Sequence, residues 1–129
     1  MSDRDHAIEL LEVAARDLNA LRGMGNPQTF ADEVFGFIVQ QAVEKTLKAW
    51  LCLLSVEYPL THDLTDLLAR LRDTGQDVDD LWDLAEFNPF AVELRYSALS
   101  EQDIPIDRDA AVGQVEALLN RVRELAHHS

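Results

Sequence analysis

Apolar residues recur along this chain at the three- and four-residue spacing of amphipathic α-helices, and no stretch shows the alternation of a half-buried strand. Glycine and proline interrupt the pattern between segments, as they do where helices end. The five predicted helical segments cover about 8–21, 30–56, 61–75, 77–88 and 107–125. A further helical turn or two is predicted at 90–96.

Residues with short polar side chains stand where these helices are expected to begin. Thr29, followed three positions later by Asp32, is predicted to cap the second helix, and Thr61 is predicted to cap the third. Asp107 is predicted to cap the last helix. The acidic run at 77–80 suits the start of the fourth helix, because the N-terminal end of a helix dipole is positive.

These segments predict an all-α fold in one domain that spans residues 1–129. A chain of 129 residues is long enough to bury a core without disulfides or a metal ion. It contains only 5 glycines and 4 prolines, which is few for the tight turns of an all-β sandwich or barrel.

The second segment is apolar around most of its circumference, which predicts a central helix covered by other helices and by a second subunit. We therefore expect a homodimer. Its polar residues Gln41, Glu44, Lys45 and Lys48 fall in a sector of about 100° at the helical repeat. Two interpretations are open: a solvated face with a Glu44–Lys48 pair, or one wall of a binding site.

The formal net charge of −13 opposes long-range attraction to DNA, RNA or an anionic membrane, so phosphate binding must be local. No apolar run reaches the ~18 residues that a membrane helix needs. The single cysteine, Cys52, has no partner for an internal disulfide, and the N-terminal residues lack the pattern of a signal peptide. The sequence therefore predicts a cytoplasmic protein.

The sequence predicts no cofactor and no metal site. The four histidines have no helical ligand spacing, and one cysteine does not make a zinc cluster. His127 and His128 are interpreted as a frayed tail, and Trp50 and Trp82 as packing residues. No glycine-rich phosphate loop or nucleophile motif is present.

Three ordered motifs carry a resemblance to a known family. They are QQAVEKTLKA at 40–49, YPLTHDL at 58–64 and LRY at 94–96. Together they resemble the HEPN (higher eukaryote and prokaryote nucleotide-binding) family over residues 5–126. The resemblance implies a five-helix, up-and-down bundle that forms a homodimer. It also implies a minimal nucleotidyltransferase as partner, in a two-component module of toxin–antitoxin type.

Some members of the HEPN family are metal-independent ribonucleases with the signature Arg, four to six residues, then His. Arg95 matches the arginine, but Ser100, Glu101 and Gln102 stand where the histidine is expected. Because serine does not shuttle protons at neutral pH and a carboxylate of ordinary pKa does so poorly, we expect no catalysis. The alternative is an endoribonuclease that uses Arg95 with an unconventional base, Glu101 or His62.

The preferred interpretation is a non-catalytic protein that binds a nucleotide, a nucleotidyltransferase partner, or both. Its predicted binding residues are Gln41, Lys45, Lys48, His62, Arg95 and Tyr96.

Each of these residues has an expected role beside a structural one. The lysines suit phosphate, Gln41 a base or sugar, and Arg95 a phosphate or a partner carboxylate. His62 either caps a helix or bonds a neighbouring carboxylate, or it takes part in catalysis. Tyr96 either packs in the core or stacks on a base. A purely structural dimer, with these polar residues in its interface, is the third interpretation.

Overall fold

The computed structural model describes residues 2–93 and 106–128, and helices are the only regular secondary structure in that part of the chain. Arg95, Tyr96 and the three positions 100–102 lie outside the described residues. The elements in chain order are α1 (Asp3–Arg22), α2 (Asp32–Leu53), α3 (Leu64–Asp73), a 3₁₀ helix (Asp79–Phe87), α4 (Phe90–Glu93) and α5 (Arg108–His127). The predicted all-α, five-helix bundle is confirmed.

Helix α2 is the central element. Helix α1 packs along its length, α5 packs against both, and α3, the 3₁₀ helix and α4 cover the remaining sides of α2. Most of the apolar side chains of α2 are buried inside one chain, and Val34 is the large apolar residue that stays exposed on it. The premise that α2 needs a second subunit to cover it was therefore wrong, and the homodimer stays a prediction. No helix in the described part is both long and apolar enough to cross a bilayer.

Two of the predicted helix caps were wrong. Helix α2 starts after Ala31 without a side-chain cap, because Thr29 and Phe30 donate their backbone N–H groups to the carbonyl of Asn26 and so belong to a turn. Helix α3 is capped by Asp63, whose carboxylate accepts the backbone N–H of Thr65 at 2.9 Å.

Other polar side chains near the helix ends form hydrogen bonds with backbone N–H groups. Thr61, predicted as the cap of α3, instead accepts the N–H of Asp63 at 3.0 Å. Asp107 caps α5 as predicted, with the N–H of Ala110 at 3.1 Å. At α1, Ser2 and Asp5 form a reciprocal capping box that the sequence analysis missed. Helix α5 continues to His127, so the interpretation of that residue as frayed was wrong.

The fourth segment is a 3₁₀ helix rather than the predicted α-helix. Its buried residues Leu81, Leu84 and Phe87 are spaced exactly three apart in sequence, and side chains at that spacing share one face of a helix with three residues per turn. An α-helix of the same sequence would spread them over a wider sector. The strict three-residue spacing was the signal for this element.

A glycine on α2 sets the position of α4. The ring of Phe90 lies directly on Gly36, so a Cβ atom built at Gly36 would be 2.5 Å from two of the ring carbons. The start of α4 is therefore fixed on the N-terminal half of α2.

A buried arginine holds the loop between α1 and α2. Arg108, at the start of α5, donates to the carbonyls of Met24 and Phe30, each at 2.6 Å, and to the carboxylate of Asp32 at 2.8 Å. Its guanidinium carbon also lies 4.8 Å from the ring centre of Phe35. The loop is thus tied to α5 mainly through its own backbone.

Candidate functional site

The polar stripe of α2 is organised around one buried carboxylate. Glu44 is only 4% exposed. It accepts hydrogen bonds from Gln40 Nε2 at 2.9 Å and Lys48 Nζ at 3.1 Å, and its Oε1 lies 2.8 Å from His62 Nδ1. Burial by itself raises the pKa of the Glu44 carboxyl, but the bonds from these three side chains outweigh it, so the pKa lies below its ordinary value. The site therefore contains a buried, ionised glutamate.

His62 reaches this carboxylate from the loop before α3. Its carbonyl accepts a second hydrogen bond from Gln40 Nε2 at 3.0 Å, so one amide group binds both Glu44 and the backbone of the loop. The His62 side chain itself is 75% exposed. Within the described residues, its Nε2 has no hydrogen-bond partner. The arrangement fixes one ring nitrogen inside the protein and leaves the other to solvent.

The turn that carries His62 is fastened at its other end as well. Asn88 donates to the carboxylate of Asp63 at 2.7 Å and accepts the N–H of Leu64, also at 2.7 Å. The hydrogen bond from the Thr65 hydroxyl lowers the pKa of the Asp63 carboxyl most, and the capping N–H of Thr65 and the Asn88 amide lower it further. His62 is thus held between α2 and the segment that leads into α4.

Lys48 extends the cluster toward α1. Its ammonium lies 5.2 Å from the ring centre of Tyr58, within range of a cation–π contact. The Tyr58 hydroxyl is in turn 2.8 Å from His6 Nε2, and the two rings are stacked. A chain of polar contacts therefore runs from His62 through Glu44, Lys48 and Tyr58 to His6.

Lys45 points to a different neighbour. Its ammonium is 3.0 Å from the carboxylate of Asp17 on α1. Gln41, by contrast, is linked to the cluster, because its Nε2 donates to Gln40 Oε1 at 2.6 Å. Of the predicted site residues, the structure joins Gln41, Lys48 and His62 through Gln40 and Glu44, and it places Lys45 beside them in a separate ion pair.

Both lysines that were predicted to meet phosphate already have a carboxylate partner. The Glu44–Lys48 pair was predicted, but as part of a solvated face, and that interpretation was wrong because Glu44 is buried. The sequence pattern did not distinguish the buried Glu44 from the other polar residues of α2. Tyr58 and His6 had no signal in sequence either, since their contact joins distant parts of the chain.

The chemistry available here is hydrogen bonding and proton transfer rather than metal binding. A histidine whose Nδ1 is held by a carboxylate presents Nε2 as a defined donor or acceptor, according to its protonation state. Within residues 2–93 and 106–128, no group of three or more His, Cys, Asp or Glu side chains is arranged to hold a metal ion.

The fold and this cluster define an all-helical protein whose central helix carries a buried polar network in its QQAVEK segment. The family model of the HEPN domain matches residues 7–127, which is nearly the whole chain. The chain therefore belongs to the HEPN family. No curated protein and no solved structure matches it.

Proposed function

We propose that this HEPN protein is a non-catalytic binding component of a two-component module, and that its partner is a minimal nucleotidyltransferase. The contact surface includes Gln41, Lys45, Lys48 and His62, and we propose that the motif residues Arg95 and Tyr96, which lie outside the described residues, also contribute to binding. We name it the α2 polar face. A nucleotide carried by the partner, or free in solution, binds at the same face.

The observation that supports this proposal is the exposed His62 ring held on the buried Glu44. Burying an ionised carboxylate is costly unless it is paired and hydrogen-bonded, and packing alone would favour apolar residues there. A network of this kind fixes the direction of His62 and Lys48 before a ligand arrives. Side chains that are already fixed lose less conformational entropy on binding.

The existing ion pairs favour a protein partner over a free nucleotide as the main ligand. A phosphate group would compete with Glu44 for Lys48 and with Asp17 for Lys45. A protein surface can instead add hydrogen bonds to these pairs without breaking them. A nucleotide bound by both proteins would gain the remaining donors from the partner.

Co-purification tests the proposal. The chain is co-expressed with a small nucleotidyltransferase encoded beside it, and the complex is captured through a tag on the partner. We expect His62→Ala to reduce the captured fraction, since that ring is exposed and its loss leaves the core packed. His128→Ala, an equally exposed histidine at the far end of α5, is the matched control.

The structure also says which variants to avoid. Lys48→Glu would place a second carboxylate beside the buried Glu44 and disturb folding. Lys45→Gln is the better charge variant, because the Asp17 side chain with which Lys45 pairs is 20% exposed, against 6% for Glu44. If the two proteins migrate independently, or if His62→Ala and His128→Ala are captured equally, the proposal is refuted.

A ribonuclease is the second candidate function, and the Glu44–His62 contact favours it. A carboxylate that holds Nδ1 of a histidine is one way to orient a general base, and Nε2 of His62 is exposed. His62 would then replace the histidine that is missing after Arg95. The net charge of −13 opposes the accumulation of RNA.

Incubation of labelled single-stranded and transfer RNA with the purified protein separates the two functions. We expect no cleavage above background. Metal-independent cleavage that is lost in both His62→Ala and Arg95→Ala would assign the ribonuclease function to this protein and overturn the non-catalytic proposal.

The homodimer is a separate proposal that rests on the family resemblance. Light scattering after size exclusion, at tens of micromolar protein, gives the mass in solution. A monomer throughout that range would refute it.

A further inference from the structure

A second candidate site lies on the opposite side of α2 from the α2 polar face. Trp50 comes nine positions after Gln41, and at about 100° per residue it therefore projects from the opposite face of the helix. It forms part of a groove of about 1000 Å³ whose other wall is the C-terminal half of α5. Of the described residues of the α2 polar face, Gln41, Lys45, Lys48 and His62, none lines this groove.

Trp50 has an unused hydrogen-bond donor. The side chain is 1% exposed, and its Nε1 is buried without a partner among the described residues. The other buried polar side chains of α2 are all bonded: Gln40 and Glu44 to each other, and Thr46 to a backbone carbonyl. Because a buried donor without an acceptor costs free energy, an acceptor from a ligand would stabilise Nε1 of Trp50, for which the described residues provide none.

The groove around this tryptophan carries two arginines, in a protein that is strongly acidic as a whole. Arg121 and Arg123 line it together with one carboxylate, that of Glu124, and Asp80 pairs with Arg121 at 3.4 Å. The guanidinium carbon of Arg121 lies 4.8 Å from the ring centre of Trp50. Two guanidinium groups on one groove can bind a small anion, which responds to charges within roughly 8–10 Å at physiological salt.

We propose that this groove binds a small phosphate-bearing molecule. Phosphate oxygens would accept from the guanidinium of Arg121 and from the indole N–H of Trp50, with Arg123 adding charge. Phosphate suits the groove better than a carboxylate because it offers three acceptor oxygens to several donors. A long nucleic acid is disfavoured, since it would extend beyond the groove onto the acidic surface.

A phosphate in the groove would compete with the present hydrogen-bond partners of Arg121. Its contacts to the Asp80 carboxylate are long, at 3.4 and 3.5 Å, and it also donates to the carbonyl of Asp77. The side chains of Arg121 and Asp80 are both exposed to solvent, so screening weakens their attraction. A phosphate that engaged Arg121 would replace these long contacts with charge-assisted hydrogen bonds.

Nuclear magnetic resonance of the two indole N–H groups provides the test. The ¹⁵N-labelled chain gives one indole signal from Trp50 and one from Trp82, and Trp82→Phe assigns them. Inorganic phosphate is added at fixed pH while sodium chloride is reduced to keep the ionic strength constant. We expect the Trp50 signal to move until it saturates, while the Trp82 signal stays.

The chain contains a matched control for the arginine. Arg72 lies over the ring of Trp82, with its guanidinium carbon 5.3 Å from the ring centre, just as Arg121 lies over Trp50. We expect Arg121→Gln to weaken phosphate binding about tenfold or more, as loss of a hydrogen bond to a charged group does. Arg72→Gln should leave it unchanged. Arg123→Gln, at an exposed position, is a second variant that does not disturb the Trp50 contact.

Several outcomes would overturn the proposal. They are a Trp50 signal that does not move, Trp50 and Trp82 signals that move alike, and a Trp50 shift that grows linearly with phosphate without saturation. A Trp50 signal that moves with protein concentration alone would mean that a second copy of the chain covers the groove. Because His62→Ala lies on the other side of α2, it should leave the phosphate shift intact, so this test and the partner test fail independently.

Discussion

Because Gly36 contacts Phe90, we predict that two chemically identical substitutions change the free energy of unfolding in opposite directions. Gly36→Ala and Gly113→Ala both replace a glycine inside a helix, in α2 and α5 respectively. In a helix interior alanine is favoured over glycine by about 1 kcal/mol. At Gly113 nothing lies within 4 Å of the new methyl group, so the gain is realised.

At Gly36 the methyl group meets the ring of Phe90. Its distance to the nearest ring carbons is 2.5 Å, about 1 Å short of van der Waals contact. Phe90 is buried and packs near Phe87, with 6.1 Å between the ring centres, so the ring has little room to retreat. Overpacking of this kind costs about 1–3 kcal/mol. Set against the gain in helix propensity, the net loss for Gly36→Ala is about 0–2 kcal/mol.

Urea denaturation followed by circular dichroism measures both variants. We expect Gly113→Ala to unfold at higher urea than the natural chain, and Gly36→Ala to be less stable than Gly113→Ala by about 1–3 kcal/mol. Phe90→Leu, which removes the ring, should bring the two alanine variants closer together in a double-mutant cycle. Equal stability of Gly36→Ala and Gly113→Ala would refute the close packing of α4 on α2.

Three other substitutions test the polar contacts. Arg108→Met should lower the free energy of unfolding by about 3 kcal/mol, because it leaves two loop carbonyls and a carboxylate without their donor. The control Arg123→Met, at an exposed position on the same helix, should change the free energy of unfolding by less than about 0.5 kcal/mol. Similar losses for both variants would contradict the contacts of Arg108. The pKa of Glu44 is lower in the folded protein, so its stabilisation is present above the ordinary glutamate pKa and is lost as the pH falls through the lower pKa of the folded state. Melting temperatures measured at acid pH should fall less steeply with decreasing pH for Glu44→Gln, and parallel curves would argue against an ionised Glu44. Asp107→Ala should cost about 1 kcal/mol in urea denaturation through loss of the α5 cap, whereas an unchanged midpoint would rule out that role.

The apolar spacing of the sequence was sufficient to predict the helices, because burial of one face is a local property of a periodic segment. Leu11, Leu18 and Leu21 of α1 are buried, and so are Leu64, Leu67 and Leu71 of α3. The helix starts were less predictable. A threonine caps a helix only if its backbone lies next to the first free N–H groups, and the turn at Asn26 moves Thr29 away from that place.

The polar contacts of the candidate site depend on tertiary structure that a linear pattern does not contain. Glu44 contacts His62 because the fold brings the loop before α3 to α2, and these two residues are 18 positions apart. Arg108 bonds to Met24 across 84 positions. A single arginine at the start of a helix resembles a surface charge in sequence, so its burial had no local signal. The motifs predicted which segment of α2 carries the site, while its centre at Glu44 came from the fold.

The way Arg108 holds the loop between α1 and α2 has a consequence for sequence variation. Two of its three hydrogen bonds go to main-chain carbonyls, which every amino acid supplies. The residues at 25–29 are exposed, so substitutions there change neither the anchor nor the core. This loop should therefore tolerate extensive diversification as long as Arg108 is kept, which makes it a suitable place to insert an epitope or a fluorescent label.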